Sequence, residues 1–444
     1  MKKTAITNVA IFDGSGGEVF NGDILIEGNR IVEVAHFPNK LAGRADQVID
    51  GKGKFLMPGM TEAHTHFSWN DQPSLAAIQM MPPEEHILWC VQVAKRYLDM
   101  GWTSALGAAA AKARLDVVLR NAITAGQCVG PRYLAGSQEI TTLGGLGDMT
   151  LPHLPFQELS FGHIVSGPEE IRKAARMFIK YGVDHLKINL SGEYIAGIAA
   201  ELSPFSDEEV AMLAAEAKRY GKRVAAHARS SESVKQCVRH GLELIFHASF
   251  ADEEALDLLE ANKDKHFVAP GIGWLVRTCF NASEYGITTE VAEKMGYRRE
   301  LEAASETLSK MHKRGVRVLP GGDYGFAWMP HGTNANDLQY FVDYIGMSSK
   351  EALLAATRLG GELMMRADEL GQIQPGYIAD LVMVDGDPLQ DLRILTEPSR
   401  IAMVMQDGVV HKNLHDSSPR EAALHIPDSE NPLRDKGVQE AIPA

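Results

Sequence analysis

Residues 55–66 have the sequence FLMPGMTEAHTH, in which an apolar run leads directly to two histidines that lie two positions apart. Side chains alternate between the two faces of a β-strand, so His64 and His66 point the same way and can bind one metal ion. A pair of this kind also recurs by chance. The pair therefore predicts a metal site only if further ligands follow elsewhere in the chain.

Downstream of this segment, predicted helices and strands alternate along the chain. A helix is predicted at 83–100, followed by a strand at 103–107. Further helix-then-strand pairs are predicted at 169–181 with 183–190, 207–220 with 223–228, 231–240 with 242–248, and 297–314 with 316–319. Repeated units of this kind indicate a parallel sheet with helical crossovers. Seven or eight units fit an α/β fold of the (β/α)₈ barrel type better than the alternative, an open parallel sheet.

Both ends of the chain are rich in predicted strands and turns. Turn signals interrupt apolar strands between residues 4 and 58, and the same pattern returns between 371 and 412. We therefore predict a small β-sandwich domain built from 1–58 and 370–413, enclosing a catalytic barrel at 59–369. Residues 414–444 are rich in proline and charge, and we expect a surface arm that crosses to a neighbouring subunit.

Lys187 lies in the predicted strand 183–190, one face of which carries Leu186, Ile188 and Leu190. If that apolar face meets the helices, Lys187 points into the barrel, where burial lowers the pKa of an amine. The neutral amine can take up CO₂ and form an anionic carbamate whose two oxygens bridge two cations. The alternative is a lysine that reaches solvent or pairs with an acid.

Three further candidate ligands stand at the ends of predicted strands, namely His227, His247 and Asp323. Taken singly, a histidine of this kind is more often a hydrogen-bonded core residue. The intervals from His66 to Lys187, and then to each of the three in turn, are 121, 40, 20 and 76 residues, which fit whole βα units. The candidates then fall at the carboxyl ends of strands one, four, five, six and eight, where α/β barrels carry their active sites.

These residues resemble the amidohydrolase superfamily, specifically its binuclear members with a carbamylated lysine. Within it the chain is most similar to the imidazolonepropionase-like and prolidase-like branch, which includes hydrolases of aryl-urea and carbamate herbicides. The approach at 58–60 and the return strand at 375–381 belong to the same pattern. The resemblance implies one divalent ion held by His64, His66, Lys187 and Asp323, and another held by Lys187, His227 and His247.

The resemblance implies a chemistry as well as a ligand set. We expect a hydroxide that bridges the two ions to hydrolyse an acyclic C–N bond in an amide, peptide, urea or carbamate. Asp323 is the candidate proton shuttle, and Zn²⁺ is the expected metal, with Mn²⁺ or Co²⁺ also suited to these ligands. The alternatives are hydrolysis of a cyclic amide, deamination, which usually proceeds with one metal and no bridging lysine, and a non-catalytic barrel.

Candidate substrate-binding residues lie beside the predicted ligands. Arg229 shares the inward face of its strand with His227, and either holds a substrate carboxylate or forms an ion pair within the protein. Trp69, Tyr194 and His331 follow strand ends, where they either contact substrate or pack internally. Members of the branch often carry a Gly-Gly-His-Gly-Asp loop; here Gly144–Asp148 has leucine at the histidine position, and His153 is a candidate replacement.

The composition sets the remaining expectations. The 444 residues include 44 Lys plus Arg against 58 Asp plus Glu, for a formal net charge of −14, which opposes binding to nucleic acid or an anionic membrane. The four cysteines are scattered and form no CxxC pair, so reduced thiols are expected. No apolar run has the length of a membrane span or signal peptide, so a cytoplasmic homo-oligomer acting on small molecules is expected.

Overall fold

The computed structural model of the chain describes residues 2–38 and 40–414. Among these residues, no helix combines the length and the apolar character that crossing a membrane requires. Apart from Leu414, the predicted arm at 414–444 lies outside the described residues.

The amino-terminal segment forms five strands, β1 (Lys3–Ile11), β2 (Phe20–Glu27), β3 (Arg30–Ala35), β4 (Gln47–Asp50) and β5 (Phe55–Pro58). β1 is central: it pairs antiparallel with β2 and parallel with both β4 and β5. Apolar residues of these strands, including Ile6, Val9 and Ile11, are buried in a core of their own. This separate core explains why the strands alternate between apolar and polar positions.

The middle of the chain contributes ten short strands, β6 (Met60–Thr65), β7 (Trp102–Gly107), β8 (Arg132–Leu134), β9 (Gly136–Thr142), β10 (His163–Val165), β11 (His185–Asn189), β12 (Arg223–Ala228), β13 (Leu244–His247), β14 (Phe267–Ala269) and β15 (Arg317–Val318). They form two parallel sheets, in the orders β6-β7-β8 and β10-β9-β11-β12-β13-β14-β15. Ala135 alone separates β8 from β9, and Ala63 N donates to Pro320 O at 3.0 Å between the first and last strands. The predicted TIM-like barrel architecture is confirmed.

Ten helices lie between the parallel strands, namely α1 (Leu75–Gln79), α2 (Pro83–Asp99), α3 (Leu115–Thr124), α4 (Pro168–Tyr181), α5 (Asp207–Arg219), α6 (Ser231–His240), α7 (Glu253–Ala261), α8 (Ile272–Asn281), α9 (Thr289–Met295) and α10 (Tyr297–Lys313). Three more follow β15 in the described part of the chain, namely α11 (Asn336–Tyr340), α12 (Ser349–Ala356) and α13 (Arg358–Leu363). Local chemistry fixes several ends. Ser206 and Glu209 form a capping box at the start of α5, while Gly241 ends α6 in a left-handed conformation.

Strands from the carboxyl end complete the terminal sheet as β16 (Leu381–Val384), β17 (Ile401–Gln406) and β18 (Val409–Asn413). β16 pairs antiparallel with β5, so that the sheet runs β18-β17-β16-β5-β1-β2-β3. The prediction of a β-sandwich domain built from both ends of the chain is confirmed in that strands of both ends form one eight-stranded sheet. Gly59 alone separates β5 from β6, so this sheet adjoins the first barrel strand directly.

The barrel positions the predicted ligands as the sequence pattern requires. Leu186, Ile188 and Leu190 pack in the core beneath the helices, while Lys187 turns to the opposite face of β11. His64, His227 and His247 lie at or near the carboxyl ends of β6, β12 and β13. All ligand candidates thus reach one face of the barrel.

Candidate metal centre

The six predicted ligands converge on one buried site. Asp323 lies at its centre: its Oδ1 is 3.1 Å from Nε2 of His66 and 3.4 Å from Nε2 of His64, and its Oδ2 is 4.0 Å from Nε2 of His247. His227 adjoins the cluster, with 4.4 Å between its ring centroid and that of His247. Ligand atoms of His64, His247 and Asp323 all lie within 4.8 Å of one another. Carboxylate and imidazole groups at these separations suit a divalent cation.

Two of the ligands have an unusual backbone conformation. His247 has φ 76° and Asp323 has φ 66°, values in the left-handed region that residues other than glycine seldom adopt. Hydrogen bonds hold the segment before Asp323, since Gly321 N donates to Asp337 at 3.2 Å and Gly322 N donates to Glu62 at 3.2 Å. Strain of this kind persists where the surroundings impose it, typically at functional sites.

Hydrogen bonds leave ligand nitrogens free in the histidine rings. Nδ1 of His66 lies 3.1 Å from Ala109 O, and Nε2 of His227 lies 3.0 Å from Gly192 O. Because a carbonyl oxygen only accepts, these nitrogens carry the protons and the opposite ones keep their lone pairs. Nδ1 of His64 and both ring nitrogens of His247 are buried without a hydrogen-bond partner. Buried nitrogens that the protein does not satisfy fit a bound cation.

Burial also sets the protonation of the ligands. It lowers the pKa of His64, His227 and His247 well below the usual value, so these imidazoles are neutral and able to coordinate. For Asp323 burial acts to raise the pKa, whereas the imidazoles of His64 and His66 and the positive charge of Arg229 act to lower it, and the net shift of the pKa is downward. The site therefore combines neutral imidazoles with an ionised carboxylate.

Lys187 is buried among polar groups of neighbouring strands. Its Nζ donates to Asn189 Oδ1 at 3.1 Å and lies 3.9 Å from Oε1 of Glu139. Asn189 in turn donates to Oε2 of Glu139 at 2.8 Å and to Leu146 O at 2.9 Å. Burial lowers the pKa of Lys187, although Glu139 and Asp323 act in the opposite direction. The structure thus contains the pairing of Lys187 with an internal acid, which was one of the two alternatives considered for this residue. The lowered pKa favours the neutral amine that carbamate formation requires.

A cavity that is partly open to solvent lies over the candidate ligands. Its apolar wall consists of Trp69, Leu75, Leu146, Ile195, Trp274 and Phe326. The acids Glu139 and Glu193 also line it. A cleft that combines apolar and aromatic side chains with convergent polar groups is the usual form of a small-molecule site.

Arg229 is fully buried and forms an ion pair within the protein. Its guanidinium contacts a carboxylate oxygen of Glu193 and donates to Oε1 of Glu300 at 2.5 Å. Tyr297 donates to the other oxygen of Glu193 at 2.7 Å. Burial raises the pKa of Glu193 to about 7, against the opposing effect of Arg229. Of the two roles considered for Arg229, the internal ion pair is the one that the structure contains.

The other candidate substrate-binding residues differ in position. Trp69 lines the cavity and stacks on His66, with 3.4 Å between ring centroids. Tyr194 is not among the lining residues, and its hydroxyl donates to Glu201 at 2.7 Å. His331 is buried behind the site, between Asp71 at 2.8 Å and the carbonyl of His66 at 3.0 Å. His153 is exposed and also outside the lining.

Three polar residues of the site escaped the sequence analysis: Glu139, Asn189 and Glu193. Glu139 lies on β9 directly opposite Lys187 in the strand register. Strand β9 was not among the predicted strands, so nothing placed this acid beside the lysine. For Asn189 and Glu193 a signal existed, because both follow Lys187 closely at the end of a predicted strand.

Comparison with known proteins is consistent with this geometry. A model of the amidohydrolase family matches residues 55–410. Ochratoxinase of Aspergillus niger is 27% identical over 384 residues, covering 80% of this chain and 75% of that protein. Imidazolonepropionase of Caldanaerobacter subterraneus subsp. tengcongensis is 22% identical, covering 84% of this chain and 86% of its own. The crystal structure of a Xaa-Pro dipeptidase with bound methionine in the active site superposes with a TM-score of 0.81 at 28% identity, covering 93% of this chain and 100% of the other.

Proposed function

The chain belongs to the amidohydrolase family and is an enzyme acting on carbon–nitrogen bonds, and we propose that it hydrolyses an acyclic amide, peptide, urea or carbamate with the help of two divalent ions. The observation that carries this proposal is the convergence of six ligand side chains on one buried site. Unpartnered nitrogens of His64 and His247 at its centre support it. The names of the relatives, which include an ochratoxinase and a Xaa-Pro dipeptidase, agree with this class of reaction.

In this proposal a carbamylated Lys187 belongs to both ligand sets. One ion would be held by His64, His66, Lys187 and Asp323, and the other by Lys187, His227 and His247. The neutral imidazoles, the carboxylate and the carbamate suit Zn²⁺, Mn²⁺ or Co²⁺. Divalent ions supply Lewis acidity, which polarises a substrate carbonyl and lowers the pKa of water.

The side chains of the protein have distinct tasks in this reaction. Asp323 is ionised and adjoins both His64 and His66, so it is placed to accept a proton from the attacking water and to pass it to the leaving nitrogen. Asn189 orients Lys187 through a hydrogen bond to its Nζ. The apolar wall around Trp69 and Phe326 excludes bulk water from the reacting groups.

Hydrolysis of a cyclic amide is the second candidate function. It is favoured by one observation, the similarity to imidazolonepropionase over 84% of this chain. Ring opening uses the same ligand set, so the residues above do not distinguish the two reactions. The substrate panel below does, provided that it contains a cyclic amide.

The test is metal analysis together with hydrolysis of a substrate panel. Purified protein is assayed with N-acyl amino acids, dipeptides, anilides, aryl ureas, carbamates and a cyclic amide, before and after chelation and after return of Zn²⁺, Mn²⁺ or Co²⁺. We expect Lys187→Ala to lose bound metal and activity together. The matched control is His153→Ala, which removes an exposed histidine outside the cavity and should keep both. A metal-free native protein, or full activity in Lys187→Ala, would refute the proposal.

A further inference from the structure

The charges around the cavity are unevenly distributed. Among the described residues that line it, the only cationic side chain is Lys187, which the proposed function assigns to the metal ligands. Two carboxylates outside that ligand set, those of Glu139 and Glu193, also form part of the lining. Apart from the ions that the proposed function assigns to the ligand set, a substrate carboxylate entering this cleft would meet acids and no free cationic side chain, and like charges held close together are unfavourable.

Arg229, the nearest alternative partner for a carboxylate, is not available to one. It is absent from the lining and has no exposed surface, while Glu193, which contacts it, lines the cavity. The second partner, Glu300, holds the other side of the guanidinium at 2.5 Å. A substrate carboxylate could reach Arg229 only by displacing Glu193 from a buried ion pair, and breaking such a pair is costly.

The apolar part of the lining is largely aromatic, and two of its residues carry neutral donors. The rings of Trp69 and Phe326 lie 5.0 Å apart between centroids, and those of Trp274 and Phe326 lie 4.8 Å apart. Both indole N–H groups are buried without a hydrogen-bond partner. Leu146 adds an apolar side chain to the lining. Unpartnered neutral donors beside aromatic rings suit a ligand with an uncharged oxygen acceptor and an apolar body.

We propose that this cavity selects uncharged substrates with an aryl or alkyl group, such as a neutral anilide, carbamate or urea, and rejects dipeptides and N-acyl amino acids. Glu193 is the specificity-determining residue, because it lines the cavity and neutralises Arg229 at the same time. This inference rests on the proposed function and narrows its substrate class to neutral members.

The test compares two anilides that differ in charge and by one methyl group. 4-Acetamidophenylacetate and its methyl ester contain the same scissile bond, and the methylene group separates that bond electronically from the carboxylate. At about pH 8, above the pKa of about 7 that burial gives Glu193, we expect kcat/KM for the ester to exceed that for the acid by at least about tenfold. Calorimetric binding of both compounds to chelator-treated protein gives the same comparison without turnover and without coordination of the acid to metal.

Two variants assign the selectivity to its residue. Glu193→Gln removes a carboxylate from the cavity lining and leaves Arg229 paired with Glu300 alone, so the ester-to-acid ratio should fall several-fold in both measurements. Glu201→Gln makes the same change of charge on an acid of the same loop that does not line the cavity, and should leave the ratio unchanged. If Glu193→Gln does not fold, the ester-to-acid ratio of native protein still tests whether the cavity selects uncharged substrates.

Several outcomes would overturn the inference. One is that native protein binds or cleaves the acid as well as it does the ester. Another is that it binds neither compound, and a third is that the ester-to-acid ratio is the same in Glu193→Gln and Glu201→Gln. A different result would refute the proposed function, namely that no acyclic compound of the wider panel is hydrolysed. A preference for the ester in calorimetry would then still stand.

Discussion

The buried ion pair of Arg229 leads to a stability prediction that can be worked from the structure. Glu300→Gln keeps the shape of the side chain but removes one of the two negative charges that contact the guanidinium. Removing one partner of a buried pair costs 3–5 kcal/mol, and we expect about 3 kcal/mol because Glu193 still pairs with Arg229. For a chain of 444 residues, an unfolding entropy of about 0.9 kcal/mol per degree converts this into a fall in Tm of about 3 °C.

The assay is scanning calorimetry of chelator-treated protein at one scan rate, so that bound metal does not contribute to Tm. The matched control is Glu232→Gln, which removes an acid paired with Arg239 at the surface, where the side chains are 52% and 46% exposed. Exposed pairs contribute about 0.2–1 kcal/mol, so the control should lower Tm by about 1 °C or less. Equal Tm values for the two variants would refute the view that Arg229 depends on its buried acids.

Three further changes test other parts of the structure. Burial raises the pKa of Asp116 to about 7 in the folded protein, above that of a carboxyl group in the unfolded chain. The contribution of Asp116 to the free energy of unfolding is therefore fully present at low pH and is lost as the pH rises through about 7. We therefore compare the free energy of unfolding of Asp116→Asn with that of native protein by urea titration at two pH values. The variant should be more stable relative to native protein at about pH 8 than it is at about pH 4. Asn189→Ala should weaken Zn²⁺ binding about 10- to 100-fold in equilibrium dialysis, because it removes the hydrogen bond to Lys187. A Cβ on Gly321 would lie 2.7 Å from Cβ of His64, so Gly321→Ala should lower kcat about 100-fold in the hydrolysis assay.

Each of these predictions has an outcome that contradicts it. A pH-independent difference between Asp116→Asn and native protein would show that Asp116 is ionised in the fold throughout this range. Unchanged dialysis curves for Asn189→Ala would remove that residue from the support of the site. For Gly321, the control is Gly43→Ala, whose Cβ would have nothing within 4 Å, and equal kcat values in the two variants would exclude the steric argument.

The sequence predicted the ligand set because each ligand is marked locally. An apolar strand precedes each histidine, and the intervals between candidates match whole βα units. Both ends of strand β12 and of helix α6 were predicted at the correct residue, because the alternation of apolar and polar positions and the capping residues define these ends. The short strand β14, at Phe267–Ala269, has too few residues for a periodic pattern. The third strand of the barrel was also not predicted, because it is divided at Ala135 into the two shorter strands β8 and β9.

The surroundings of the ligands depend on contacts that no local pattern encodes. Arg229 and Glu300 are 71 residues apart, so the sequence left open whether the guanidinium meets a substrate or an internal acid. The position of Glu139 opposite Lys187 follows from strand register, which was unknown for an unpredicted strand. The charge of the cavity therefore required the structure, whereas the candidate metal ligands could be proposed from the sequence.

The way β5 is shared between the two ends of the chain has a consequence for biosynthesis. Its backbone is paired on one side by β1, already made, and on the other by β16, which begins only at Leu381. While the ribosome is still translating the barrel, β5 presents an unpaired apolar edge to solvent. Nascent chains that stall before Leu381 are therefore expected to be clients of holdase chaperones and prone to aggregate, whereas release of β16 closes the sheet.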